Sequence, residues 1–225
     1  MKWDPYQYAL FSEQRSRPFY DLFTRLSEFA PATLVDLGCG SGELTRLFLK
    51  RWRNSRILGV DSSQEMLQIA GAYAVPGRLA FQVGDIATWT AEEPIDLLFS
   101  NAALQWVADH AALIPRLAAA VAPGGTFAVQ MPANYDEPSH QAIRELLAEP
   151  RWRDRLNDLP DRMSPVQPLA WYVARLLELG FQVDGWETRY LHVLQGTDPV
   201  LEWLKGTALR PVLSQLAEEE TRELI

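Results

Sequence analysis

The stretch Val35–Asp61, VDLGCGSGELTRLFLKRWRNSRILGVD, joins an apolar run, glycines at alternate positions, a helical pattern and a second apolar run closed by an acid. Glycines directly after a first strand let a nucleotide approach the backbone. The spacing is Gly38, Gly40, Gly42, or G-x-G-x-G. A dinucleotide fingerprint needs G-x-G-x-x-G, and a P-loop needs a Gly-Lys-Ser/Thr that does not follow here. Asp36 stands just before the first glycine. A carboxylate there repels a pyrophosphate and suits an ammonium group. These residues call for a nucleoside with a cationic or zwitterionic tail.

S-adenosylmethionine has that form. Its ribose hydroxyls need an acid, and Asp61 ends the second apolar run, at about the offset of a ribose acid from its glycine turn. Met66 is placed to cover one face of the adenine. Gly84-Asp85-Ile86 offers a carboxylate and a backbone donor for the adenine edge. The methionine end is shared between the first turn and the end of the fourth strand. Taken singly these signals are weak: Asp61 could be a helix N-terminal acid and Asp85 a turn residue. Their strength is their order, each at the end of a successive strand.

The strands come from the apolar pattern. TLVDLG, RILGVD, RLAFQVGD, IDLLFSN and TFAVQMP read as strands. Between them, ELTRLFLKRW, SSQEMLQIAGAY (with Ser63 as N-cap) and ALIPRLAAAVAPGG (stopped by Pro-Gly-Gly) read as helices. A first helix is expected from Pro18, on the spacing of Phe19, Leu22, Phe23, Leu26 and Phe29. Strand and helix in alternation predict an α/β fold, a doubly wound, mostly parallel sheet with ligands at the carboxyl ends of its strands. After Pro132 the pattern turns polar and proline-broken, predicting a helical cap. FQVDGWETRYLHVL is expected as a long strand or hairpin arm, followed by helices. The expected organisation is an N-terminal lid segment and first helix over 1–30 and an α/β core over 31–135. A helical insertion and return helix occupy 136–180, and a C-terminal strand with helices 181–225.

With 225 residues, 48% of them hydrophobic, the chain can bury a sizeable core. Its net charge of −8 opposes a nucleic-acid partner, which wants a basic face. The lone Cys39 forms no internal disulfide and no cysteine-based metal site, so no metal is expected and a cytoplasmic, reducing setting fits. The N-terminal residues show no signal peptide, and no apolar run reaches membrane-span length, so no membrane partner is expected.

VDLGCGSG, GVDSS, GDI and SNAALQW resemble the ordered motifs of class I S-adenosylmethionine-dependent methyltransferases. WDPYQYALFSEQRSRPFYDL, FSNAALQWVADH, VQMPANYDEPSH and WLKGTALRP resemble, more specifically, the trans-aconitate 2-methyltransferases, over essentially the whole chain. The resemblance implies a Rossmann-like fold and a methyl ester formed on one carboxylate of trans-aconitate. It implies a cofactor site of Asp36, Gly38, Gly40, Asp61, Ser62, Met66, Asp85, Ile86 and Asn101, with Gln105 and Trp106 beside the transferable methyl. That family ends in an antiparallel strand between its fifth and sixth, for which this sequence offers no segment.

A carboxylate acceptor titrates near pH ~4 and is already ionised at neutral pH, so the reaction needs no general base. The protein's task is positioning and exclusion of water. A polycarboxylate wants fixed cations, best supplied by arginine forks. Arg15 and Arg17, expected before the first helix on a lid, and Arg210 in GTALRP are the candidates. Asn134, Tyr135 and His140 follow the fifth strand as further substrate-side groups, and Tyr6 and Phe11 as aromatic lids. His110 reads as structural. The alternatives are a methyltransferase for another small acceptor, a nucleotide-binding module or an NAD-dependent enzyme. The expected assembly is a monomer or weak homodimer.

Overall fold

A computed structural model of the chain describes residues 11–26, 30–156 and 166–225. They group into two units: residues 15–132 with 165–187, and the described parts of 1–14, 133–164 and 188–225. These boundaries differ from the four sequential segments expected, because the chain after the fifth strand leaves the core and returns to it.

The first unit is built on five strands, β1 Thr33–Leu37, β2 Arg56–Asp61, β3 Leu79–Val83, β4 Ile95–Asn101 and β5 Val121–Gln130. They pair in parallel in the order β3-β2-β1-β4-β5. β1 therefore lies between β2 and β4, and the chain leaves their ends in opposite directions. That is the switch point of a doubly wound sheet, where a crevice opens at the strand carboxyl ends. The near-continuous apolar runs bury both sheet faces. On one, Leu113, Ile114 and Leu117 of α4 (His110–Ala118) pack with Val35, Leu37 and Leu98, and Trp171, Tyr172 and Leu176 of α7 (Leu169–Glu178) join them. On the other, Phe19, Leu22 and Leu26 pack with Phe48, Trp52, Leu97 and Phe99. Phe19, Phe48 and Phe99 meet at ring separations of 5.0–5.7 Å.

Three local expectations are corrected. The first helix, α1, spans Ser12–Arg25 and carries Pro18 inside it. Proline loses one helical hydrogen bond, yet the helix runs through it, and Phe19, Leu22 and Leu26 anchor the part that follows by burial on one stripe. Arg15 and Arg17 are therefore helical and do not precede the helix. Second, the Pro-Gly-Gly of residues 123–125 lies inside β5 and is not a helix stop; α4 has already ended at Ala118. Gly124 has φ 78, and a Cβ at Gly125 would come 2.8 Å from the Asp96 carbonyl, at the register shift between Ile95 and Leu97. The glycines make a bulge. Third, residues 181–195 form no strand: no ladder hydrogen bond pairs them among the described residues. Alternation supplies two faces, but a strand also needs a neighbour.

α2 (Leu47–Arg51) and α3 (Gln64–Ala70) complete the first unit. The second unit holds α5 (Pro138–Ala148), α6 (Pro150–Leu156), α8 (Pro199–Lys205), α9 (Arg210–Leu213) and α10 (Glu218–Leu224). Its own core is Ile143, Leu147, Trp152, Leu156, Leu204, Leu209 and Val212. Arg155 bonds Glu220 at 2.8 Å across α6 and α10. Among the described residues, no helix is long and apolar enough to cross a membrane.

Candidate active site

The turn after β1 is set by backbone. Gly38, Gly40 and Gly42 take φ of 79, 56 and 71, the left-handed region that a Cβ disfavours. Gly38 also has no room: a Cβ there would lie 2.2 Å from that of Ala103, in the turn after β4. Gly42 would strike Phe81 and Ala70. Gly40 has open space around it. Four amides of this turn are engaged within the protein. Gly38 and Cys39 donate to the Val60 carbonyl at 2.7 and 3.1 Å, Gly40 to Asp61 Oδ2 at 2.8 Å and Gly42 to the Cys39 carbonyl at 3.1 Å. A pyrophosphate cradle needs such amides pointing at the ligand.

The charges agree. Asp36 is 4% exposed and accepts one side-chain bond, from Thr45 Oγ1 at 2.6 Å. Burial, and then the charge of Asp61, push its carboxyl up to about 7, against the lowering bond from Thr45. Burial beside the same two acids pushes the Cys39 thiol far up, so it is no nucleophile. The crevice is thus short of positive charge, which fits a cationic nucleoside and disfavours a diphosphate.

Asp61 accepts from Gly40 N and, through Oδ1, from Ser63 N at 2.9 Å. A carboxylate has further lone pairs for ribose hydroxyls. Ser63 caps α3 as expected, accepting from Met66 N, which buries Met66. Ser62 beside it is exposed. Asp85 is exposed, with Oδ1 accepting from Ala87 N at 2.8 Å, while Ile86 is buried against Gly38. Asn101 ends β4 in register with Gln130 at the end of β5. Asn101 Oδ1, Gln105 Oε1 and Gln130 Oε1 are buried acceptors that no donor meets among the described residues. Such oxygens are costly unless a ligand supplies N–H, O–H or polarised C–H groups. Trp106 is 39% exposed, which packing alone does not explain.

Two candidates escaped the sequence reading: Thr45, the partner of Asp36, and Gln130. The one available signal was a lone polar residue at the end of the apolar run TFAVQM.

On α1, Arg15 shares its stripe with Phe19, Leu22 and Leu26 and is half-buried; Arg17 is exposed. The other expected substrate residues lie in the second unit. Arg210 opens α9 and is 8% exposed. His140 is buried on α5, with its ring 5.8 Å from that of Tyr135. Burial, with Arg144 nearby, lowers its pKa, which favours the neutral ring and leaves His140 as a hydrogen-bonding group. Burial raises the Tyr135 hydroxyl, which keeps its proton as a donor. Asn134 caps the turn into α5 through its carbonyl, 3.1 Å from Glu137 N. Phe11 packs on Trp203 at 5.4 Å; Tyr6 lies outside the described residues. No group of three metal-ligating side chains occurs among the described residues.

With this geometry in place, known proteins can be compared. The family described as a methyltransferase domain matches residues 11–187. A Streptomyces avermitilis protein named trans-aconitate 2-methyltransferase is 48% identical over 99% of this chain and 85% of its own length. One of the same name from Streptomyces coelicolor is 46% identical over 95% and 73%. Among solved structures, a Haloferax volcanii methyltransferase in complex with the activator Trm112 aligns with a TM-score of 0.58 at 24% identity. That alignment spans 78% of this chain and 73% of the other, and it speaks for the fold.

Proposed function

This chain belongs to the trans-aconitate 2-methyltransferase family, and on that premise we propose that it forms a methyl ester on a carboxylate of trans-aconitate, with S-adenosylmethionine as cofactor. The observation that carries the reading is the turn at Gly38–Gly42, where the amides of Gly38, Cys39, Gly40 and Gly42 are spent internally and the neighbouring acids are Asp36 and Asp61. When bound, the sulfonium supplies an electrophilic methyl. Asp61 and Ser62 hold the ribose, Met66 and Ile86 line the adenine, and Asp85 takes its amino edge. Gly38 and Gly40 give the backbone clearance, and Asp36 with Asn101 receives the methionine end. Gln105 and Trp106 orient the methyl and screen it from water.

The acceptor arrives ionised, so the residues bind and align it and none removes a proton. Arg210 and Arg15 are the proposed carboxylate holders, since partly shielded guanidinium groups are the strong partners. Exposed Arg17 contributes steering. Asn134, Tyr135 and neutral His140 act as hydrogen-bond donors. The partner is a small polycarboxylate, the setting cytoplasmic, the assembly a monomer or weak homodimer.

Titration with S-adenosylhomocysteine and with NADH, followed by tryptophan fluorescence, tests the cofactor. A response to the former is expected, and a response to NADH alone would overturn the reading. A panel of polycarboxylates with methyl-labelled cofactor then tests the acceptor; label appearing only on some other acceptor class would replace trans-aconitate.

A further inference from the structure

The turn after β4 is tied down by several groups, of which the proposed function leaves His110 and Tyr172 unused. Ala102 has φ 52, a conformation unfavourable to any residue with a Cβ. It is clamped on both sides: its amide donates to the Gln130 carbonyl at 3.0 Å, and its carbonyl accepts from Gln105 Nε2 at 2.7 Å. Two residues on, the Leu104 carbonyl meets His110 Nε2 at 3.0 Å. A carbonyl only accepts, so Nε2 carries the proton and, in the neutral ring, Nδ1 is bare. Nδ1 therefore accepts from the Tyr172 hydroxyl at 2.5 Å, whose oxygen in turn accepts from Gln167 N at 3.0 Å. His110 is 2% exposed. The chain of bonds runs from the start of α7 to the short 3-10 turn Leu104–Trp106.

The same logic settles the Gln105 amide. Its Nε2 faces a carbonyl, so Oε1 is its acceptor end, buried and met by no donor among the described residues. Gln105 lies two residues after Ala103, whose Cβ a side chain on Gly38 would meet, so it belongs to the turn that faces the glycine turn. Asn101 Oδ1 and Gln130 Oε1 close the neighbouring strand ends in the same state. A fully ionised polycarboxylate has no donor to offer these oxygens, but a cation does.

We propose that His110 and Tyr172 are positioning residues which, through the Leu104 carbonyl, set this turn so that Gln105 Oε1 accepts a hydrogen bond from the cationic end of the cofactor. The identity of the cation rests on the methyltransferase reading. The donor is either an ammonium N–H or a C–H polarised by the sulfonium, and the two give different results below.

The full chain is labelled with 5-fluorotryptophan, and the 19F resonance of Trp106 is identified by its loss in Trp106→Phe. In the ligand-free protein, Tyr172→Phe is expected to shift that resonance. It also lowers kcat about three- to tenfold, the loss of one hydrogen bond, with acceptor KM unchanged. His110→Gln, which can still donate to the Leu104 carbonyl, retains more activity than His110→Leu. Gln105→Met weakens binding about tenfold. S-adenosylmethionine and S-adenosylhomocysteine suffer alike if the donor is the ammonium, and only the former suffers if it is the methyl. An unmoved Trp106 resonance and unchanged kcat in Tyr172→Phe overturn the positioning role, even if the His110 variants fail to fold. Unchanged affinity for both ligands in Gln105→Met overturns the contact. Wild-type protein that refuses both ligands removes the methyltransferase reading and Gln105's partner with it, while the ligand-free 19F shift still judges the positioning role.

Discussion

The turn at Gly38–Gly42 and the segment Asn134–His140 are both candidate binding elements, and they are made by opposite means. The first is backbone: three left-handed glycines, amides spent on Val60 and Asp61, and a contact with Ala103 that admits no side chain. The second is side chains on a loop and a helix start, with Tyr135 and His140 kept uncharged by burial. A ligand shared by many reactions suits a rigid backbone cradle. A ligand that distinguishes one reaction suits exchangeable side chains on a variable scaffold.

The comparison breaks most readily at Asp36. Its carboxyl binds a proton more tightly in the folded chain, up to about 7, than in the unfolded one. Its stabilising contribution is therefore whole below pH ~4 and is lost as pH rises to about 7, a loss of roughly 4 kcal/mol at 1.36 kcal/mol per unit. Urea denaturation of wild type and Asp36→Asn across this range should show that slope only in wild type. Parallel curves would mean the acid is not buried as described. Next in size, Gly38→Ala forces a Cβ onto Ala103 and should cost roughly 2–4 kcal/mol by the same measurement. Gly40→Ala, with open space around it, should cost only the left-handed strain, about 1 kcal/mol. Equal losses at both would show that clearance is not what distinguishes these glycines.

On the other side of the comparison, Arg210→Ala should raise acceptor KM by the worth of a charged hydrogen bond, about 1.5–3 kcal/mol, and leave S-adenosylhomocysteine affinity intact. A fall in cofactor affinity with KM unmoved would transfer Arg210 out of acceptor binding. Asp61→Ala should do the reverse, weakening the cofactor by about 1–3 kcal/mol. Calorimetry showing unaltered affinity would remove the ribose assignment.

Reading the chain without its structure recovered the five strands of the parallel sheet and the cap of α3, because each lies within a few positions of a local signal. Ser63 as cap of α3 is one case, and Asp61 at a strand end is another. The failures all needed a distant partner. Pro18 looked like a helix start because the apolar stripe begins just after it, at Phe19, which is buried with Phe48 and Phe99, while the turns before it carry no such local signal. The glycines of residues 123–125 looked like a helix stop because the bulge they form depends on Asp96. His110 read as structural and is buried as such; its partner Tyr172, from a helix much later in the chain, was not legible.

The sequence by itself determined the fold class and the class of cofactor. Apolar runs spaced by helical patterns permit few sheets, and glycines with acids at successive strand ends permit few nucleosides. Only the tertiary structure decided which amides of the turn are spent, which way the Gln105 amide points, and that His140 is neutral. Those depend on burial and on groups far apart along the chain, and no local pattern encodes a desolvation or a hydrogen-bond partner.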